Sequence, residues 1–154
     1  MNYIYGLDLS LSNSGVFICD EDGNPIKAIS IPTDKKLNHQ ERLKIIGDTL
    51  LELRKEFPTC LIAFESGFSR HAASTEALFK TIGLVQYLFA DCQQFSYAPS
   101  SIKKTITGSG RADKDLVREV ISKRYPDLIF KNNDESDACA TITCHLLRHD
   151  MIKS

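Results

Sequence analysis

Three strand-length apolar runs crowd into the first 31 residues with only short polar turns between them, and that spacing leaves few folds open. Residues 3–9 (Tyr-Ile-Tyr-Gly-Leu-Asp-Leu) and 14–20 (Ser-Gly-Val-Phe-Ile-Cys-Asp) are rich in residues that suit a pleated surface, and a Ser-Leu-Ser-Asn turn joins them. Glu21-Asp22-Gly23-Asn24-Pro25 makes a second turn, and residues 26–31 a third strand. Connections this short permit only antiparallel neighbours, because a parallel return needs a crossover of roughly a dozen residues or more. The period then changes. Leu43, Ile46, Leu50 and Leu53 recur at spacings of three and four over residues 39–56, an amphipathic helix that Pro58 closes. Residues 60–64 (Cys-Leu-Ile-Ala-Phe) form a continuous apolar run, as a strand buried on both faces would. A second helix spans 72–90 with Leu78, Ile82, Val85 and Phe89 along one face, and 95–98 is a short strand. Pro99-Ser-Ser101 starts a helical turn that Thr107-Gly-Ser-Gly110 breaks, and 113–125 and 134–149 are the last two helices. The expected order is β-β-β-α-β-α-β-α-α. It describes an α/β domain over residues 1–154, with a mixed five-stranded sheet (three antiparallel strands, then parallel ones) flanked by helices.

Charge and cysteine usage narrow the setting. The formal net charge of -1 does not advertise a polyanionic partner, although residues 103–124 are locally basic. Cys19, Cys60, Cys92, Cys139 and Cys144 sit inside apolar runs, odd in number and with no CxxC pair, which points to reduced, buried thiols. Cys139, Cys144 and His145 lack the second ligand pair that a zinc site needs. No apolar run approaches the roughly 18 residues of a membrane span, and no charged segment precedes an apolar one at the start. A cytoplasmic protein without membrane contact is expected.

The informative residues are acidic ones in apolar settings. Asp8 interrupts an otherwise apolar strand, Glu65 ends the run 61–64, and Asp134 and Asp137 lie three apart at a helix start, on one face. A buried carboxylate costs several kcal/mol unless something pairs with it. Bland readings exist for each. Asp8 can pair with a lysine, Glu65 can cap a strand, and Asp134 and Glu135 suit a first helical turn, where the helix dipole favours them. Asp137 is harder to explain that way, because Ala138-Cys139-Ala140 follows it and small residues let a helix press on a sheet. Together the four suggest a divalent cation as the missing partner. Oxygen ligands without clustered histidines favour magnesium or manganese. Two such ions about 4 Å apart can clamp the attacking and leaving oxygens of a phosphodiester.

These residues also carry a resemblance. Tyr5-Gly-Leu-Asp8 with Ser10 and Gly15, Glu65-Ser-Gly-Phe68, the basic segment Ile102-Lys-Lys-Thr-Ile-Thr-Gly-Ser-Gly-Arg-Ala-Asp-Lys114, and Asp134-Glu-Ser-Asp-Ala138 leading into His145 stand in that order along nearly the whole chain. The set resembles the RuvC Holliday junction resolvases, above all their short phage-type or bacterial members. The resemblance implies a ribonuclease-H-like fold and a homodimer that grips a four-way DNA junction and nicks two opposed strands. It implies metal binding by Asp8, Glu65, Asp134 and Asp137, with Glu135 as a substitute for Asp134. Lys103 and Lys114 would face the scissile phosphate, Lys104 and Arg111 would be auxiliary DNA contacts, and Phe68 would stack on an unpaired base. Leu9-Ser10 stands after Asp8 where the cellular resolvases usually carry Pro-Gly, a departure that bears on cut-site preference rather than on the metal chemistry.

Three other readings stay open. Asp8-Leu-Ser-Leu-Ser-Asn-Ser-Gly15 can be read as the phosphate-cradling turn of sugar kinases and actin-like ATPases, though those need two such domains. A module that binds branched DNA without cutting it, or an RNA-processing nuclease of the YqgF type, would share the fold.

Overall fold

In the computed structural model, which describes residues 2–67 and 72–154, strands β1 (Tyr3–Asp8), β2 (Asn13–Asp20) and β3 (Pro25–Pro32) lead into helix α1 (His39–Glu56). Strand β4 (Thr59–Glu65), helix α2 (Ala72–Leu88), strand β5 (Gln93–Tyr97) and helices α3 (Pro99–Thr107), α4 (Lys114–Arg124) and α5 (Asn133–Arg148) follow. The five strands form one sheet in the order β3-β2-β1-β4-β5. The first three pair antiparallel, while β4 runs parallel to β1 and β5 parallel to β4. The expected topology therefore holds.

One element exceeds expectation. Residues 99–107 are a full helix rather than a turn: Pro99 occupies its first positions, where no backbone donor is needed, and Gly108 ends it in the left-handed region at φ 88°. The cysteines also depart from expectation. All five are free, but only Cys19, Cys139 and Cys144 are buried; Cys92 is partly covered and Cys60 is exposed. Cys60 falls where the register of β4 against β1 shifts, between Thr59 opposite Tyr3 and Leu61 opposite Ile4, so its apolar neighbours in sequence are not its surroundings.

The sheet divides the core. Tyr5, Leu7, Ile62 and Phe64 face α1 and α2, where they meet Ile46, Leu50, Val85 and Phe89. Ile4, Phe17, Cys19 and Ala63 face the opposite way and meet Ala138, Cys139 and Ile142 of α5, with Ile102 of α3 and Val117 of α4 beyond. α5 lies unusually close to the sheet, and two glycines allow it. A Cβ on Gly6 would stand 2.4 Å from the carbonyl oxygen of Ala138, and one on Gly15 would stand 1.9 Å from that of Asp134. Ala138 contributes from the helix side, as its small size suggests. No helix among the described residues is long and apolar enough to cross a membrane.

Candidate active site

Strand periodicity decides where the acidic residues point. Side chains alternate between faces, so β1 presents Ile4, Gly6 and then Asp8 to α5, and β4 presents Leu61, Ala63 and then Glu65. The two strands are parallel, with Leu7 opposite Phe64, and both therefore end in a carboxylate at the same edge of the sheet. β2 runs the other way and begins there; its α5 face carries Asn13 and Gly15. The first turn of α5 closes the cluster from above. Asn132 caps that helix by accepting the amide of Glu135, leaving Asp134 and Asp137 to reach the sheet edge.

The four carboxylates feel one another. Burial, the charge of Asp137 and a hydrogen bond to Asp134 push the Asp8 carboxyl from 3.8 up to about 8, with Glu65 adding to the effect. Burial also raises Glu65, with Lys114 and Lys103 opposing and Asp137 reinforcing the shift. Asp134 is held from the other side by Asn13, whose Nδ2 donates to Oδ2 at 2.7 Å. Burial and the neighbouring carboxylates thus favour the protonated form of Asp8, which hydrogen-bonds to Asp134. As placed, no three of them close into a ligand cage among the described residues.

Arg118 on α4 holds Asp137. Its Nε donates to Asp137 Oδ1 at 3.2 Å and its Nη2 to Oδ2 at 3.1 Å, a two-pronged pair. Lys114, one turn earlier on the same helix, stands 3.8 Å from Asp137 Oδ2. A small cleft beside the cluster has an apolar floor of Pro99, Ile102, Val117 and Ala140, with Glu65, Lys103, Lys114 and Asp137 on its rim. An all-oxygen donor set of four clustered carboxylates suits a hard divalent cation, which would favour the ionised form of Asp8.

Sequence similarity now adds to the geometry. The family described as crossover junction endodeoxyribonuclease RuvC matches residues 4–145. The chain belongs to the RuvC family. The crossover junction endodeoxyribonuclease RuvC of Pseudothermotoga lettingae is 31% identical to it over 153 residues, covering 92% of this chain and 92% of that protein. Its counterpart from Gluconacetobacter diazotrophicus is 29% identical over 148 residues, covering 92% and 88%. In fold, the chain is similar to T. thermophilus RuvC in complex with a Holliday junction substrate, with a TM-score of 0.85 at 19% identity over 98% of this chain and 96% of that one. The fold is thus the ribonuclease-H-like one expected of a RuvC protein.

Within this RuvC-family structure the sequence-predicted residues divide. Asp8, Glu65, Asp134 and Asp137 meet at one sheet edge, and Lys103 and Lys114 border them. Lys104 and Arg111 are exposed away from the carboxylates, Lys104 in the last turn of α3 and Arg111 in the loop after it. Glu135 is buried; its Oε1 accepts the Lys131 amide at the helix start, and its Oε2 has no hydrogen-bond partner among the described residues. Phe68 lies outside the described residues. Cys139, Cys144 and His145 do not share a centre; the cysteine thiols lie near Thr143 and the Ser101 carbonyl, and His145 bonds to Tyr97. Sequence reasoning missed Asn13 and Arg118. Arg118 had one available signal, its position four residues after Lys114, which puts both on one face of α4.

Proposed function

We propose that this RuvC-family protein is a structure-selective endodeoxyribonuclease that nicks four-way junctions or other branched DNA symmetrically, as a homodimer. Magnesium is the proposed cofactor, with manganese able to replace it. One observation carries the reading: four carboxylates from two strand ends and one helix start share a sheet edge, where burial and one another's charge raise Asp8 and Glu65. That arrangement costs stability and has a use only when a cation arrives.

Asp8, Glu65, Asp134 and Asp137 would hold the metal, whose bound form supplies charge to activate a water and to stabilise the leaving oxygen of the phosphodiester. Asp8 has to release its proton for this. Asn13 keeps Asp134 turned inward, and the rigid strand ends fix Asp8 and Glu65. Lys103 and Lys114 would meet the phosphate beside the cluster, and Lys104 and Arg111 more distant ones along the strand. Phe68, three residues after Glu65, is proposed to stack on an unpaired base at the junction centre, a contact worth roughly 1–3 kcal/mol.

The outer face of α2 supports self-association. Tyr87 is 80% exposed, and Gly83, one helical turn before it, has open space above it. A second copy of α2 could approach closely along that stripe.

The test uses labelled four-way junction, matched linear duplex and single-stranded RNA, each with magnesium or with chelator. Selective, magnesium-dependent nicking of the junction is expected. Asp8→Asn and Glu65→Gln keep size but remove an anionic ligand, so cleavage should fall by several orders of magnitude while junction binding persists. Near wild-type cutting by either variant would disprove the site, and RNA cleavage in place of junction cleavage would redirect the substrate. Neutralising Lys103 with Lys104 should lower the slope of log affinity against log salt by up to about two. An unchanged slope would put the DNA on another face.

A further inference from the structure

The geometry points to Arg118 as an internal counter-ion that occupies Asp137 until a divalent cation takes that carboxylate, and that then passes to a phosphate of the bound nucleic acid. The inference rests on the nuclease reading above and assigns a role to a residue which that reading does not use. Both oxygens of Asp137 are engaged by two different nitrogens of Arg118. Its remaining nitrogen, Nη1, stands 3.6 Å from Oδ1 of Asp115, a side chain almost wholly in solvent. The guanidinium is therefore stretched between an inner carboxylate at the metal site and an outer one.

Two features separate this pair from an ordinary helix-to-helix salt bridge. First, Asp137 is one of the four carboxylates gathered at the sheet edge, so whatever occupies both its oxygens competes with whatever would bind the cluster as a whole. A divalent ion and a guanidinium are both positive and cannot share one carboxylate face without repelling each other. Second, Arg118 has somewhere to go. Its side chain is 23% exposed, against 15% for Asp137, and it shares a face of α4 with Lys114, which is 62% exposed on the rim of the cleft. The planar fork that fits a carboxylate fits a phosphate equally well. Lys114 can reach a phosphate from water at little cost, whereas Arg118 can turn its two-pronged face to one only by leaving Asp137. The exchange makes metal loading and DNA binding help each other, since each pulls the same side chain the same way.

The test begins with Mn2+ binding to the DNA-free protein, measured by calorimetry for wild type, Arg118→Gln, Arg118→Lys and Asp8→Asn. Arg118→Gln should bind Mn2+ about fivefold tighter or more, Arg118→Lys should fall between it and wild type, and Asp8→Asn should lose binding. Unfolding supplies a second readout: without metal Arg118→Gln should melt below wild type, and with saturating Mn2+ the difference should close. If Arg118→Gln does not fold without metal, Arg118→Lys keeps the charge and carries the comparison. Junction binding measured in Ca2+ should then show a salt slope lower by about one for Arg118→Gln, with slopes equal to wild type in chelator. Unchanged or weaker Mn2+ binding by Arg118→Gln, with Asp8→Asn still defective, would mean that Arg118 only orients Asp137, and would overturn the proposal alone. A slope already lower in chelator would overturn the exchange. Full Mn2+ binding by Asp8→Asn would overturn the metal site, and this proposal with it.

Discussion

The two ends of α5 solve opposite problems with the same helix. Its first two turns deliver Asp134 and Asp137 into a group of four carboxylates whose charges raise Asp8 and Glu65. Its last turns bury His145, and the exposed His149 caps the helix beside it. There the Tyr97 hydroxyl shares a 2.6 Å hydrogen bond with His145 Nδ1 and a longer one of 3.4 Å with His149 Nε2, and Phe95 packs 4.5 Å from the His145 ring. Arg148 lies over the Tyr97 ring and donates to Thr105 of α3. Burial, with help from His149, pushes His145 down from 6.5 to about 4, so it stays neutral. Polarity alone therefore does not mark a functional site. What separates the two ends is whether the polar groups are satisfied by their own neighbours.

The comparison breaks most severely at Gly15. Gly15→Ala would place a methyl 1.9 Å from the Asp134 carbonyl, forcing the start of α5 off the sheet. A loss of about 3 kcal/mol is expected in denaturant unfolding, together with loss of cleavage, because Asp134 moves with the backbone. At the other end, His145→Ala should cost about 2 kcal/mol through the cavity and the orphaned Tyr97 hydroxyl, yet leave the rate per folded molecule unchanged. A matching loss of cleavage would show that the two ends are coupled.

The smallest effects lie in the pH dependence of stability, and the two ends should differ in sign. The folded-state value of His145 lies below its unfolded one, so between about pH 6.5 and 4 the unfolded chain binds a proton that the folded one refuses. Stability at that end is complete above this window and is lost as pH falls through it. The folded-state value of Asp8 lies above its unfolded one, so between 3.8 and about 8 the folded chain holds the extra proton. Stability at that end is present at low pH and is lost as pH rises. From about 4 to 6.5 the two trends oppose each other; from 6.5 to 8 only the Asp8 decline remains. Melting in chelator should show that decline, Asp8→Asn should abolish it, and magnesium should raise the melting temperature more at pH 8 than at pH 5.5. A melting temperature that rises from pH 6.5 to 8 in chelator would refute the protonated Asp8 hydrogen-bonded to Asp134.

The meander, the alternation of helix and strand, and the four acidic positions were legible in the sequence because each rests on a local rule: short connections, apolar period, or a carboxylate in an apolar run. Helix α3 was legible only as a turn. Ile102 is its one buried residue, and its extension to Thr107 depends on packing against α5 and α4 that no local pattern announces. Cys60 misled for the converse reason, its apolar neighbours being local and its exposure a matter of where the register of β4 against β1 shifts. Asn13 and Arg118 carry ordinary polar side chains on a turn and on an amphipathic helix. Their partners lie 121 and 19 residues away, so only the folded chain reveals them.

α4 has a consequence of its own. It buries only Val117 and Ile121 and rests mainly on α3 and α5, whereas α5 buries eleven residues, largely against the sheet itself. The anions of the site are thus bolted to the stiffest part of the protein, and Lys114 and Arg118 ride on a lightly anchored outer layer. Amide hydrogens of α4 should exchange through small local openings well before those of β1 and α5. The negative half then works as an anvil and the positive half as a compliant jaw, able to settle on backbones of differing curvature without disturbing the spacing of the carboxylates beneath.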